Sequence, residues 1–203
     1  MWSGVSKILL FPSLKSDLTK LSTFTIEYLM EQTTIETSRL LLRPVAKSDQ
    51  QLVYEGFSHP NVTRYFDITY ATFDDTHAQM EWYFNNREQG SGYAWVVCNK
   101  NTGETMGVFS IYYIEPKHRR AELGYWLLPP YWNKGYAFEG IKAILNYASL
   151  QLHLHRVSAE VEPDNQASII LLQKLGFERD GILRDFEWKN GAFQSLEVWS
   201  ILM

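Results

Sequence analysis

The segment Tyr131-Trp132-Asn133-Lys134-Gly135-Tyr136-Ala137 sets a lysine and a glycine between an apolar strand, Glu122–Leu128, and an apolar-periodic helix, Ala137–Leu152. A strand that turns through a glycine into a helix leaves the first helical N–H groups unpaired, with the positive end of the helix dipole behind them. That opening suits a pyrophosphate, and Lys134 adds a full charge beside it. Taken alone the signal is weak, because Lys-Gly-aromatic also occurs in turns that bind nothing. The segments that follow strengthen it. A second strand, Arg156–Val161, leads to Asn165-Gln166-Ala167-Ser168 and to a helix that closes on Leu175-Gly176-Phe177. As a plain N-cap, Asn165 stabilises that helix by about 1 kcal/mol.

In order, the region reads strand, phosphate turn, helix, strand, Asn-x-x-Ser, helix, Leu-Gly-Phe. In that order it resembles the GCN5-related N-acetyltransferases (GNAT), and more narrowly their ribosomal-protein N-terminal acetyltransferase (RimJ/RimL-like) branch. The resemblance runs from about Thr34 to the C-terminus. Arg39-Leu40-Leu41-Leu42-Arg43-Pro44, Ala121-Glu122-Leu123-Gly124-Tyr125-Trp126 and Asn190-Gly191 complete its marks. One departure is Trp132, where the wider superfamily usually carries Gln or Arg; it leaves more of the work to backbone N–H groups.

The resemblance implies acetyl transfer from acetyl-coenzyme A, as cosubstrate, to an amine, by direct attack on the thioester. The pantetheine would lie in a splay between the two strands and pair with the first like an extra strand. Backbone groups of Leu127 and Leu128 would then bind it, and an N–H there could polarise the thioester carbonyl. Lys134, Gly135, Tyr136 and Ala137 would hold the pyrophosphate, and Asn165 would touch the cofactor arm as well as cap its helix. Ser168 falls near the expected position of the sulfur and is the candidate proton donor to the leaving thiolate. Many relatives use a Tyr a few residues further on, but Ile169–Gln173 contains none. A capping or surface serine is the bland alternative.

For the base, Glu187 ranks ahead of Glu122, whose neighbours Arg119 and Arg120 could make it an ion-pair partner instead. An α-amine with a pKa near ~8 needs only mild help, whereas a lysine-type amine near ~10.4 is almost wholly protonated at neutral pH. Arg64, Tyr65 and Phe66 lie in a loop that walls the acceptor pocket in the family; the same aromatics suit a loop tucked on the core.

The elements that position these residues read as one domain. The chain has 203 residues and a net charge of -4, ample for a core and unsuited to nucleic acid as a main partner. Its single cysteine, Cys98, lies in an apolar strand run, which excludes an internal disulfide and suits a packing residue rather than a ping-pong nucleophile. His153 and His155 alternate with no third ligand near, so no metal is expected. The early apolar run Ile8–Phe11 is broken by Pro12, which argues against a membrane span or signal peptide and for a cytoplasmic enzyme. Residues 1–33 form an extension, with Leu14, Leu18, Leu21 and Tyr28 at helical spacing; Met30 offers an alternative start. Residues 34–203 form the acetyltransferase domain.

A strand over Arg39–Val45 is followed by a helix to about Phe57, capped through Ser48-Asp49-Gln50-Gln51, and a second helix over Phe73–Gln89. A hairpin pairs Tyr93–Asn99 with Thr105–Ile114. Two last strands, Phe177–Trp188 and Phe193–Met203, join through Asn190-Gly191. The fold expected is α/β (α+β): a central, mostly antiparallel mixed sheet with one splayed parallel pair and about four flanking helices. The leading acceptor is a protein N-terminal α-amine. A small-amine acetyltransferase acting on a polyamine or antibiotic is the second reading, favoured by an acidic acceptor pocket. A non-catalytic acyl-CoA-binding module is the third. A homodimer through the sheet edge or the last strands is compatible with the resemblance.

Overall fold

The computed structural model describes residues 34–203, and the expected N-terminal helix lies outside them. Eight strands form one sheet: β1 (Ile35–Glu36), β2 (Leu40–Pro44), β3 (Tyr93–Asn99), β4 (Thr105–Glu115), β5 (Arg120–Leu127), β6 (Arg156–Val161), β7 (Glu178–Lys189) and β8 (Ala192–Leu202). Their order across the sheet is β1-β2-β3-β4-β5-β6-β8-β7. Every pairing is antiparallel except β5 with β6. The helices are α1 (Gln50–Ser58), the single turn α2 (Pro60–Thr63), α3 (His77–Gln89), α4 (Tyr136–Leu150) and α5 (Gln166–Leu175).

Alternation along the strands sorts the core into two layers. Trp95, Val97, Phe109 and Leu123 point to one face and pack on Ile141, Ile144 of α4 and Leu172 of α5. Val96, Cys98, Val108 and Trp126 point to the other and meet Val53, Phe57 of α1 and Met80, Tyr83 of α3. Cys98 is buried here, and that burial pushes its thiol up, away from the reactive thiolate.

Two helix starts differ from the sequence reading. Asp49, not Ser48, closes the first one: its carboxylate accepts from the Ala46 N–H (2.8 Å) and pairs with the Arg43 guanidinium (2.6 Å). Asp49 can do both because its side chain is buried at the end of β2, where Arg43 is its counter-charge. At α3, Thr72 and Asp75 cap each other reciprocally before a 3-10 turn over Asp74–Thr76. The final turn, Asn190-Gly191, has φ of 53° and 81°, the left-handed pair that a two-residue hairpin needs.

Gly107 forces β4 and β5 into close register. Its φ is 157°, and a Cβ there would collide with the Trp126 carbonyl. β4 bulges beyond Tyr112, where Tyr113 takes φ 50°. These irregularities bend the strand that underlies the centre of the sheet.

Candidate active site

β5 and β6 pair only over Arg120–Glu122 with Arg156–Ser158. Beyond Glu122 the two strands diverge, and the edge of β5 is left open. Which β5 groups face that opening follows from the ladder on its other side. Leu128 N–H donates to the Met106 carbonyl (2.8 Å), so Leu128 and every second residue before it turn towards β4. Tyr125 and Leu127 therefore turn their backbone groups into the opening. Leu128, expected beside Leu127, has its N–H engaged by the Met106 carbonyl, and Tyr125 shares the orientation of Leu127. The Leu127 carbonyl accepts from the Trp132 indole (2.6 Å), so the residue at the departure ties the phosphate turn to the strand end.

The turn itself is held by residues far away in sequence. Gly135 is the N-cap of α4 with φ 78°, a left-handed conformation that directs the chain into the helix without a Cβ penalty. Tyr136 and Ala137 follow in the first turn, and the Lys134 ammonium lies 6.0 Å from the Tyr131 ring centroid. Arg39 spans the turn. Its Nη1 donates to the Lys134 carbonyl (2.9 Å), its Nε to Glu139 (2.6 Å), and its guanidinium lies 4.6 Å over the Tyr136 ring. Glu139 also accepts from Thr37 Oγ1 (2.6 Å) and the Arg39 N–H (2.8 Å). Burial pushes the Glu139 carboxyl up, but the Thr37 hydroxyl and the Arg39 groups outweigh it and hold it below the usual range. Open β5 edge, left-handed glycine and free helix N-terminus together fit an extended arm ending in a pyrophosphate.

At the other end of the slot, Asn165 Oδ1 accepts from the Ser168 N–H (3.2 Å), confirming the N-cap of α5. Ser168 Oγ forms a hydrogen bond with the Tyr125 hydroxyl, which reaches across from β5. Burial raises the Tyr125 phenol to about 12, against a smaller lowering by Ser168.

The opposite face of the sheet carries carboxylates. Glu122 on β5, Glu160 on β6 and Glu187 on β7 lie in registers that turn them to one side. Burial raises Glu122, Glu160 adds to it, and Arg120 partly offsets it. Burial likewise raises Glu187, helped by Asp67, Glu160 and Glu162 and opposed by Lys189. Burial also raises Glu160. The predicted ion-pair alternative for Glu122 is not made: Arg120 pairs with Glu115 (2.6 Å) and Arg119 donates to the His153 carbonyl (2.7 Å). Tyr112, paired with Glu122 across β4 and β5, has its phenol raised by burial and by Glu122, Glu160 and Asp67.

The Arg64–Phe66 loop is fastened rather than free. Tyr65 OH donates to the Asp164 carbonyl (3.2 Å), Phe66 packs edge-on against Phe57 at 5.6 Å, and the Arg64 carbonyl accepts from Lys189 Nζ (3.0 Å). Lys189 also pairs with Glu162, both side chains being about nine-tenths buried (10% and 11% exposed). Sequence reasoning missed Tyr125, Arg39, Glu139, Asp67 and Glu160. Arg39 and Tyr125 enter the sequence reading only as parts of motifs, and no spacing rule joins residues 39 and 139.

A slot between splayed parallel strands, with the Lys134-Gly135 turn at one end and a hydroxyl pair at the other, fits an acyl-coenzyme A-dependent transferase. The chain belongs to the acetyltransferase (GNAT) domain family, whose model matches residues 39–178. It is 32% identical over 169 residues to the uncharacterized N-acetyltransferase YoaA of Bacillus subtilis, covering 83% of this chain and 96% of that protein. Among solved structures, spermidine N-acetyltransferase from Vibrio cholerae in complex with CoA and spermine superposes with TM-score 0.74 at 26% identity, over 82% of this chain and 96% of that one. An acetyltransferase of Salmonella typhimurium that modifies the N-terminal serine of a ribosomal protein superposes with TM-score 0.77 over 84% of this chain and 99% of that one. At 20% identity that second likeness concerns the fold. The chain is therefore an acetyl-CoA-dependent N-acetyltransferase of the GNAT type.

Proposed function

We propose that the acceptor is a small amine carrying more than one positive charge, of the polyamine class. The observation that carries this is the group Glu122, Glu160, Glu187 and Asp67: burial first, and then repulsion from their acidic neighbours, raises the Glu122 and Glu187 carboxyls. Nearby Lys189 is already committed to Glu162 and the Arg64 carbonyl. Several carboxylates sharing one partly buried site are unfavourable until a cation enters, and a second ammonium on the acceptor relieves that repulsion further from the reacting nitrogen.

The same electrostatics support a division of labour in the proposed reaction. Glu187, with Glu122 as the second candidate, takes the proton of the attacking ammonium; a raised carboxylate is a stronger base than an ordinary one. The neutral nitrogen attacks the thioester carbonyl, whose oxygen is met by backbone N–H groups on the open β5 edge at Tyr125 or Leu127. Lys134, Gly135, Tyr136 and Ala137 hold the pyrophosphate, and Asn165 orders the first turn of α5. Ser168 gives a proton to the leaving sulfur. Acetyl-CoA supplies the activated acyl group; the protein supplies position, charge and protons.

An N-terminal α-amine of a protein is the second reading. It is favoured by the hairpin tip beside Glu187, where Trp188 and Phe193 lie edge-on at 4.8 Å with 65% and 60% of their surface exposed. The two readings separate in one experiment. Spermine, a monoamine of similar length and a short peptide are compared as acceptors for wild type and Glu160→Gln. Removing one carboxylate at a half-exposed site weakens a dication by roughly 1 kcal/mol, about fivefold in KM for spermine, while KM for acetyl-CoA is unchanged. Equal use of peptide and spermine, with no response to Glu160→Gln, would overturn the polycation reading.

A further inference from the structure

We propose that Tyr125 is the proton source behind Ser168, so that the leaving thiolate is protonated through a tyrosine–serine relay. The inference rests on the acetyltransfer reading of the site. Its basis is geometric. α5 carries no tyrosine, yet a tyrosine hydroxyl reaches the first turn of α5 from β5 and bonds to Ser168 Oγ. The Tyr125 ring is fixed in the core, edge-on to Phe109 at 6.4 Å. The Ser168 N–H is fixed by Asn165 Oδ1 (3.2 Å). Both hydroxyls therefore stand on rigid elements on opposite sides of the slot.

A serine can donate to sulfur and be resupplied only if its oxygen accepts from something else. With Tyr125 donating to Ser168 Oγ, the serine hydrogen is left for the sulfur. An alcohol alone is a poor acid; a phenol is a better one. Even when raised to about 12, the Tyr125 phenol stays protonated throughout the neutral range and so remains a donor. The step then balances. The amine nitrogen bonds to the carbonyl carbon, and the carbon–sulfur bond breaks with its electron pair on sulfur. Sulfur takes the Ser168 proton as Ser168 takes the Tyr125 proton. The proton shed by the nitrogen passes through a carboxylate to water, and after the thiol leaves, water in the slot returns a proton to Tyr125 through Ser168.

Tyr125 acts through Ser168, which makes it a positioning and relay residue, and its test needs a readout that a structural role would not move. Thiol release from acetyl-CoA with saturating spermine is measured for wild type, Tyr125→Phe, Ser168→Ala and the double variant. Tyr125→Phe is expected to lower kcat at least tenfold with KM for acetyl-CoA within twofold. The double variant should lose no more than about twofold beyond Ser168→Ala, because members of one relay are not additive. Replacing Tyr125 by fluorotyrosines, which lower the phenol pKa at nearly constant volume, should shift kcat in step with that pKa; this arm stands even if Tyr125→Phe folds poorly. An unchanged kcat in Tyr125→Phe, multiplying losses in the double variant, or no response to fluorination would each overturn the relay. Wild type with no turnover on any amine would instead overturn the acetyltransfer reading, and the relay with it.

Discussion

Replacing Arg39 by methionine should weaken acetyl-CoA binding without touching the chemical step. Arg39 lies in the turn between β1 and β2 but reaches the Lys134-Gly135 turn, 95 residues away, through the Lys134 carbonyl at 2.9 Å. Methionine keeps the aliphatic stem and removes the guanidinium. Three contacts are lost: the Nε–Glu139 pair, with side chains 44% and 18% exposed, the bond to Lys134, and the stacking on Tyr136. Typical contributions are about 0.2–1 kcal/mol for an exposed pair, about 0.5–1.5 for a hydrogen bond and about 0.5–1 for an exposed cation–π contact. Together they amount to roughly 1–3.5 kcal/mol. The share that reaches the ligand is the bond that holds the turn, on the order of 1 kcal/mol, which is about fivefold in affinity. Calorimetric titration with coenzyme A is the assay, alongside steady-state kinetics. The expected result is a Kd for coenzyme A and a KM for acetyl-CoA both raised about fivefold, with kcat within twofold. A melting temperature lowered by several degrees with unchanged affinity would refute the argument, because it would make Arg39 a purely structural tie.

Three further predictions concern other parts of the molecule. Glu187→Gln should lower kcat at least tenfold while raising stability at pH 7.5, by no more than about 0.5–1 kcal/mol because solvent screens this partly exposed carboxyl, or about one to four degrees of melting temperature. The sign follows from the raised carboxyl: the folded state holds its proton more tightly than the unfolded chain, so ionisation destabilises the fold above the ordinary carboxylate range. The gain should vanish below about pH 4, where both states are protonated, and a gain that persists there would contradict this cause. Lys189→Met leaves Glu162 without its partner in a site where both side chains are about nine-tenths buried, and should cost about 3–5 kcal/mol in denaturant unfolding; a loss under 1 kcal/mol would show the pair to be solvated. Gly107→Ala drives a Cβ into the Trp126 carbonyl and should lower the melting temperature by at least five degrees, whereas an unchanged melt would mean that β4 and β5 can separate at no cost.

Much of the architecture was legible because its signals are local. A continuous apolar run marks Tyr93–Asn99, Gly135 marks the start of α4, and Asn190-Gly191 marks the last hairpin. The splayed pair was legible only through the family resemblance, since nothing in the composition of β5 or β6 says where their pairing stops. What stayed hidden is long-range. Arg39 and Glu139 find each other because β1–β2 folds against the N-terminus of α4, and Tyr125 meets Ser168 because β5 and α5 close on one slot. The acidic face was hidden for the same reason: Glu122, Glu160 and Glu187 sit on three strands, and Asp67 joins them from a loop. Asp49 displaced Ser48 as the capping side chain because burial beside Arg43 rewards a carboxylate, a tertiary effect that capping-box spacing does not encode.

The most direct test of the account is thiol release from acetyl-CoA by the purified full chain, with mass spectrometry of the acceptor, across spermine, spermidine, a monoamine and peptides starting with Ser, Ala or Met. The account predicts stoichiometric thiol and monoacetylated polyamine, with kcat/KM for spermine at least tenfold above that for the monoamine or any peptide. Turnover confined to the peptides would contradict the cationic acceptor site while leaving the acetyltransferase intact. Coenzyme A binding without turnover on any amine would contradict the catalytic assignments themselves.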